Sequence, residues 1–216
     1  MSIRQYPLSF DFRARYFIIG PELKSADSVF LCLHGYGQLA PYFIKKFEVI
    51  SDTSFIIVPE GLHRFYLAGN DGRVGASWMT KEERLIDIEN YLHYIDAVVN
   101  EILGSSTRPI IVLGFSQGAA TAGRWVSHTQ RSVSNMILWS GMFPHDVEIP
   151  NEKKTWKDIK ILSVLGNKDP YIGDDRFIAE KQRLTLNGLD ADEFMFEGGH
   201  DILPNVLLQI KDRILR

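Results

Sequence analysis

A serine framed by glycines, in the segment Gly114-Phe115-Ser116-Gln117-Gly118, most constrains how this chain can fold. A short run with β-branched residues at 109–113 precedes the segment and predicts a buried strand. The small residues that follow the segment are compatible with a helix. A G-x-S-x-G segment between a strand and a helix forms a sharp turn, at which the glycines let two backbone segments approach closely. The sequence therefore predicts that the Ser116 hydroxyl projects from the carboxyl edge of a sheet.

Segments typical of strands and helices alternate along the whole chain. Strands are predicted at 16–19, 29–34, 55–59, 109–113, 135–140, 159–165 and 193–196, and helices at 41–49, 81–103, 119–126, 177–187 and from residue 201 onward. This alternation predicts one α/β domain over residues 1–216, with a mostly parallel central sheet, helices on both of its faces and no large lid domain. In such sheets, ligands bind at the carboxyl ends of the strands.

Three local patterns add detail to this prediction. Residues 60–77 contain Gly, Asn and Asp and are predicted as a long loop. The helix at 81–103 carries apolar residues at alternating spacings of three and four, and Thr80 with Glu83 predicts a capping box at its start. Its predicted apolar face comprises Leu85, Ile88, Leu92, Ile95, Val99 and Ile102, and Gly104 is predicted to end it. Asp201 is predicted as the N-cap of the last helix, with Pro204 in the first turn.

The composition excludes several classes of function. A net charge of −3, with no cluster of Lys or Arg, gives no electrostatic basis for binding nucleic acid or an anionic membrane. No signal peptide and no apolar run of the ~20 residues that span a bilayer is evident, so a cytoplasmic protein is expected. Cys32 is the only cysteine and lies in a predicted buried strand, which rules out an intrachain disulfide. No metal-binding or nucleotide-binding motif occurs, so no metal or cofactor is predicted.

A serine hydroxyl is a poor nucleophile unless a base lies within hydrogen-bond distance. His200 is the best candidate for that base, because it follows a predicted strand and two glycines, whereas the other histidines lack this setting. A base histidine in turn needs a carboxylate to fix its tautomer. Asp169 follows the strand at 159–165 and a short turn, and is the preferred candidate. Asp174 and Asp175 remain as alternatives, although they resemble the cap of the next helix.

Two backbone N–H groups are predicted to bind an oxyanion near Ser116. One belongs to Gln117, directly after the serine, and the other to the loop that follows an earlier strand. The segment Leu33-His34-Gly35-Tyr36-Gly37 fits that loop, with the Tyr36 N–H as the donor. His34 is expected to brace the loop and to take no part in catalysis.

The chain resembles the phospholipase/carboxylesterase group of α/β-hydrolases, which includes bacterial carboxylesterases and acyl-protein thioesterases. The matching segments are 33–37, Ser77-Trp78, 114–118, Gly166-Asn167-Lys168-Asp169-Pro170 and Gly199-His200, which together extend over nearly the whole chain. The resemblance implies the α/β-hydrolase fold, with Ser116 as nucleophile, Asp169 as acid and His200 as base, and with Tyr36 and Gln117 forming the oxyanion hole. It also implies that Trp78 borders the acyl pocket. Tyr36 and Gln38 depart from the Leu and Asp that the family usually carries at these positions.

The expected activity is hydrolysis of a small-molecule carboxylic ester through an acyl-enzyme. Candidate substrate-binding residues, each of which could instead be core, are Phe65, Tyr66, Trp78, Met79, Met142, Phe143 and Tyr171. Aromatic and Met side chains favour an apolar acyl group over a charged one. Hydrolysis of thioesters or lysophospholipids is the nearest alternative, and a binding protein that has lost catalysis is a more distant one.

Overall fold

Seven strands form the central sheet of this protein, whose computed structural model describes residues 2–147, 156, 158–189 and 191–215, except for the side chain of residue 174. These strands are β1 (Tyr16–Ile19), β2 (Ser28–Leu33), β3 (Ser54–Pro59), β6 (Ile110–Phe115), β7 (Val133–Trp139), β8 (Lys160–Gly166) and β9 (Ala191–Phe196). Their order is β1-β3-β2-β6-β7-β8-β9, and only β1 runs antiparallel to its neighbour. The predicted mostly parallel sheet is therefore confirmed.

The helices lie between the strands, as the alternation of segments predicts. They are α1 (Ala40–Phe43), continued by a 3-10 helix (Ile44–Ile50), α2 (Arg84–Leu103), α3 (Gln117–His128), α4 (Asp174–Leu186) and α5 (Pro204–Leu215). A separate hairpin consists of β4 (His63–Ala68) and β5 (Asp71–Ser77).

The sheet is buried on both faces, and β2 illustrates this arrangement. Successive side chains of a strand point to opposite faces. Accordingly, Val29, Leu31 and Leu33 belong to the core shared with α2 and α3, whereas Phe30 and Cys32 belong to the core shared with the 3-10 helix and α5. Strands covered on both sides read as continuous apolar runs, which is why the run in β2 predicts a parallel sheet. Burial raises the pKa of the Cys32 thiol, so this group stays protonated.

The prediction of a long loop at 60–77 is wrong, because β4 and β5 form an antiparallel hairpin there. Ala68 pairs with Asp71, which leaves Gly69-Asn70 as a two-residue turn, and Gly69 has a φ of 71°. A Gly-Asn dipeptide between two short runs is a known hairpin signal. The hairpin is attached to the loop after β2, because Ala76 of β5 forms backbone hydrogen bonds with residues 37 and 38.

Helix α2 begins at Arg84 rather than at residue 81, and its buried face differs from the predicted stripe. Its buried residues are Asp87, Tyr91, Ile95, Val98, Val99 and Leu103. Leu85, which was predicted on the apolar face, is 72% exposed. The polar members of this face are buried because they have partners: Asp87 pairs with His63, and the Tyr91 hydroxyl accepts a hydrogen bond from Arg124.

The predicted capping box at the start of α2 is absent from the structure. Glu83 adopts the left-handed conformation, with φ 47°, and its carboxylate accepts a hydrogen bond from Gln5 instead of capping the helix. The Thr80 hydroxyl accepts from the Glu82 N–H. Gly104 ends the helix with a φ of 51°, as predicted.

Asp201 is not the N-cap of the last helix, which begins at Pro204. Its carboxylate accepts hydrogen bonds from the Ile202 N–H and from Lys46 on the 3-10 helix. The prediction of Pro204 in the first turn is confirmed, and the fixed φ of proline suits that position.

We predict that Gly118→Ala lowers the free energy of unfolding by about 3 kcal/mol or prevents folding, because overpacking in a rigid core costs about this much. A Cβ at this position would lie 2.1 Å from the carbonyl oxygen of Leu33. Gly173→Ala is the matched control, since no atom lies within 4 Å of its added Cβ. Urea unfolding of both variants tests the prediction, and equal stability of the two would contradict it.

Candidate active site

Ser116 lies at the sharp turn between β6 and α3. Its φ of 54° and ψ of −117° are unusual for a residue with a side chain. The turn is held because the Ser116 N–H donates to the carbonyl of Trp139 on β7, at 2.9 Å, and because Gly118 lies against the end of β2. The predicted elbow geometry is therefore present, with a partly exposed serine at the carboxyl end of the sheet.

Asp169 and His200 are hydrogen-bonded to each other. Asp169 follows β8 and His200 follows β9, and the carboxylate Oδ2 lies 2.7 Å from the imidazole Nδ1. The other carboxylate oxygen accepts the N–H of Tyr171 at 2.9 Å. The Asp169 carboxylate is fully buried, whereas 18% of the His200 side chain is exposed. A buried acid therefore orients an imidazole that remains partly exposed.

The elbow and the imidazole meet through an aromatic contact. The Phe115 ring, next to the serine, lies 4.9 Å from the His200 ring, and the Tyr171 ring lies 4.7 Å from it on edge. Among the described residues, the Ser116 hydroxyl has no hydrogen-bond partner. In enzymes without bound substrate, the hydrogen bond between a serine and its base is often long or poorly aligned, and it shortens when substrate binds.

The environment of Asp169 favours the carboxylate form. Burial alone would favour the protonated acid, but the Tyr171 N–H, the His200 ring and the Ser140 hydroxyl together hold the pKa of Asp169 below its ordinary value. Ser140 itself is buried, has a φ of 46°, and its hydroxyl forms no hydrogen bond of good geometry within the described part of the chain. No pattern in the sequence singles out this serine.

The other ionisable candidates lie elsewhere. Asp175 is exposed on α4, and the side chain of Asp174 lies outside the described residues. His63 pairs with Asp87, and His128 pairs with Asp96. Asp169 is therefore the candidate acid that contacts His200.

The loop after β2 presents a free backbone donor next to the elbow. Neither the Tyr36 N–H nor the Gln117 N–H donates to another group in the part of the chain that the structure describes. The loop is shaped by Gln38, whose side-chain oxygen accepts the Gly35 N–H at 2.8 Å. It is also bonded to β5, because the Gly37 N–H donates to the Ala76 carbonyl at 2.8 Å. The bracing role of Gln38 is not evident in the sequence.

The Gln117 side chain ties the elbow to the end of the hairpin. Its amide oxygen accepts the Trp78 N–H at 3.1 Å, and its amide nitrogen donates to the Met79 carbonyl at 2.9 Å. The backbone N–H of the same residue takes no part in these bonds. The side chain therefore braces the first turn of α3.

His34 braces the loop after β2 from within the core, as predicted. Its Nδ1 donates to the Gly35 carbonyl at 2.8 Å and its Nε2 accepts the Gly61 N–H at 2.9 Å, which together require the neutral ring. Burial lowers the pKa of His34 to about 4. The Trp78 ring stacks against the imidazole at 5.0 Å, and the indole N–H donates to the His34 carbonyl.

The residues predicted to bind substrate fall into three groups. Trp78 and Phe143 are fully buried in the core and expose no surface to a ligand. Met79 and Met142 are partly buried against the cores. The remaining three are at least partly exposed, and they are Phe65, Tyr66 and Tyr171. The Phe65 ring lies 5.0 Å from the Tyr36 ring, which places an aromatic pair beside the loop after β2 (residues 34–38), the predicted oxyanion loop.

A sequence model of the phospholipase/carboxylesterase family matches residues 14–215. The chain belongs to this family. No curated protein sequence matches it. The segments that carry the elbow, the acid and the histidine all fall within the matched range, so this phospholipase/carboxylesterase chain holds its candidate site within the family domain.

Solved structures of similar fold include esterases and a thioesterase. Acyl-protein thioesterase 2 from Zea mays has a TM-score of 0.72 at 17% identity, over 94% of this chain and 100% of that one. The Bacillus cereus carboxylesterase has a TM-score of 0.67 at 16% identity, over 93% of each chain. Esterase PE8 has a TM-score of 0.64 at 20% identity, over 94% of this chain and 100% of that one. Identities this low support the α/β-hydrolase fold and no finer assignment.

Two further properties concern metals and membranes. Within the described ranges, no group of three or more His, Cys, Asp or Glu side chains is placed to hold a metal ion. Of the helices in those ranges, none combines the length and the apolar character needed to cross a bilayer.

We predict that the free energy of unfolding falls by up to about 3 kcal/mol as the pH decreases from 6.5 to 4, owing to His34. The unfolded ring binds a proton below pH 6.5, whereas the folded ring stays neutral until about 4, so stability is lost across that interval. Urea unfolding at several pH values measures the decrease. His34→Gln keeps a donor and an acceptor but does not titrate, so its curve should fall less steeply. Parallel curves for the two proteins would contradict the assignment.

Proposed function

We propose that this protein is a serine hydrolase that cleaves carboxylic esters through an acyl-enzyme. The observation that carries the proposal is the strained serine at the elbow beside the hydrogen-bonded Asp169–His200 pair. The three residues follow β6, β8 and β9, at the carboxyl end of one sheet. Their order along the chain, Ser then Asp then His, is the order of α/β-hydrolases.

The proposed reaction begins with attack of the Ser116 oxygen on the ester carbonyl carbon. The hydroxyl proton passes to Nε2 of His200, whose Nδ1–H remains bonded to Asp169. The tetrahedral intermediate collapses when the carbon–oxygen bond to the alcohol breaks, and the imidazolium gives its proton to the departing alkoxide. Water then attacks the acyl-enzyme, with the imidazole again acting as base, and the acid product leaves.

The oxyanion of each tetrahedral intermediate would be stabilised by the backbone N–H groups of Tyr36 and Gln117. Both groups are free of other partners among the described residues. Donors that are fixed before the reaction need no reorganisation when charge develops, and losing one typically costs about 10²–10³ in turnover. The bonds from Gln38 and β5 to the loop supply this rigidity.

The proposed substrate is a small ester with an apolar acyl group. Exposed aromatic rings border the cleft: Tyr36 and Phe65 stack beside the oxyanion loop, and Tyr171 lies against His200. Such rings bind apolar chains well. A thioester would react by the same steps, and the similarity in fold to a maize acyl-protein thioesterase keeps it as a second candidate substrate.

We predict that Ser116→Ala abolishes turnover of p-nitrophenyl esters over a series from acetate to long acyl chains. The hydrolysis rate is followed by release of p-nitrophenol, and the chain length of fastest turnover measures the acyl pocket. A fluorophosphonate probe should label the wild-type protein and leave the variant unlabelled. A wild-type protein that neither reacts with the probe nor hydrolyses any ester would instead support a binding protein that has lost catalysis.

We predict that Asp169→Asn retains the fold and lowers kcat by about 10⁴, the loss known for the equivalent change in a serine protease. In the variant, the amide oxygen keeps the hydrogen bond from the Tyr171 N–H, so the amide NH₂ faces Nδ1 and donates to it, which holds the imidazole in the wrong tautomer. Asp175→Asn is the control, since this exposed residue lies on α4. Steady-state kinetics and circular dichroism of both variants give the answer. A near-normal rate for Asp169→Asn would move the acid to another carboxylate.

A further inference from the structure

We propose that a cavity beside the oxyanion loop binds an anionic group, carboxylate or phosphate, carried by the ester substrate. This inference rests on the proposed esterase function and adds a charged group to its substrate. The cavity has a volume of about 580 Å³. Its lining includes Gly37, Gln38, Tyr42, Lys46, Arg73 and Val74.

The hairpin places Arg73 at this cavity through a close backbone contact. A Cβ at Gly75 would lie 2.5 Å from the Gly37 carbonyl oxygen, so β5 lies directly against the oxyanion loop at this point. Side chains two residues apart on a strand share a face. Arg73 is therefore directed to the same side as Gly75, next to the loop that carries the Tyr36 N–H. The backbone of Arg73 is thus held next to the loop that carries the proposed oxyanion donor.

The opposite wall links the cavity to the imidazole. Lys46, on the 3-10 helix, reaches across to Asp201 with an Nζ–Oδ1 distance of 2.6 Å. Asp201 directly follows His200 in the chain. One wall therefore adjoins the oxyanion donor and the other adjoins the base. Ser116 and His200 are not part of the lining, so the cavity would hold a substituent of the substrate beside the reacting ester group and not that group itself.

The charge in the cavity is positive and only partly neutralised. Lys46 has Asp201 as its partner, whereas Arg73 forms no ion pair and no side-chain hydrogen bond with any residue that the structure describes. None of the described residues that line the cavity carries a carboxylate. The guanidinium offers paired donors that match a carboxylate or a phosphate. An unpaired arginine over a cavity of this size therefore selects for an anionic substituent.

The anionic group can belong to either half of the ester. A half-ester of a dicarboxylic acid carries it at the far end of an otherwise apolar acyl chain, and a glycerol phosphate ester carries it on the alcohol side. Two substrate pairs separate these sources. The first pair is mono-4-nitrophenyl glutarate and 4-nitrophenyl pentanoate, and the second is 1-hexanoylglycerol 3-phosphate and 1-hexanoylglycerol.

The test measures kcat/KM for both pairs in the wild-type protein, Arg73→Gln and Arg64→Gln. Arg64 is the matched control, because it is an exposed arginine of β4 in the same hairpin and does not line the cavity. For one pair, we expect Arg73→Gln to lower the ratio of charged to neutral kcat/KM by about tenfold, a typical effect of one charged hydrogen bond. The pair affected identifies the half of the ester that carries the anion. Arg64→Gln should leave both ratios unchanged.

Binding to the inactive Ser116→Ala protein separates this inference from the esterase proposal. Calorimetric titration with mono-4-nitrophenyl glutarate and with glycerol 3-phosphate should detect binding of at least one, weakened about tenfold when Arg73→Gln is added. Such binding without ester hydrolysis in the wild-type protein would overturn the esterase and retain the anion site. Ester hydrolysis with equal ratios in all three proteins, and no binding in the titration, would overturn the anion site alone.

Discussion

The contact on which the site depends is the approach of the first turn of α3 to the end of β2. Gly118 lies against the carbonyl groups of Leu33 and His34, at a distance that leaves no room for a Cβ. This approach forces the chain to turn sharply at Ser116, whose positive φ would otherwise be unfavourable. It also brings the loop after β2 beside the N-terminus of α3. One packing constraint therefore sets the serine and both proposed oxyanion donors in a fixed arrangement.

The core supports the loop after β2 through the neutral hydrogen bonds of His34 and Trp78. The buried ring of His34 connects the oxyanion loop to residue 61, and Trp78 covers that ring while bonding to the same strand end. A neutral imidazole has one donor and one acceptor, both of which are used here, so burying it leaves no polar atom without a partner. Trp78, which the family resemblance places at the edge of the acyl pocket, is therefore buried, and it holds the loop after β2 from within the core.

The sequence was informative where a residue's role follows from its position on a strand, and less so where it depends on a distant partner. The elbow could be located because glycines and strand residues surround Ser116, and Asp169 and His200 were marked by the strands before them. The sequence does not predict the hairpin, because the segments on either side of its turn lack a regular apolar alternation. The turn itself, Gly69-Asn70, is a hairpin signal. The roles of Gln38 and Arg73 depend on contacts between β5 and the oxyanion loop, which only the folded chain creates.

The proposed catalytic residues and the proposed anion site belong to different parts of this fold. The serine, the acid and the histidine follow strands of the seven-stranded sheet, whose side chains are locked between two cores. The hairpin belongs to a separate two-stranded sheet, joined to residues 37–38 by backbone hydrogen bonds. Backbone bonds do not depend on side-chain identity, so Arg73, whose side chain has no partner among the described residues, can change without moving the oxyanion loop. In the proposed function, the hairpin is therefore the element that gives a fixed site its preference for a particular ester.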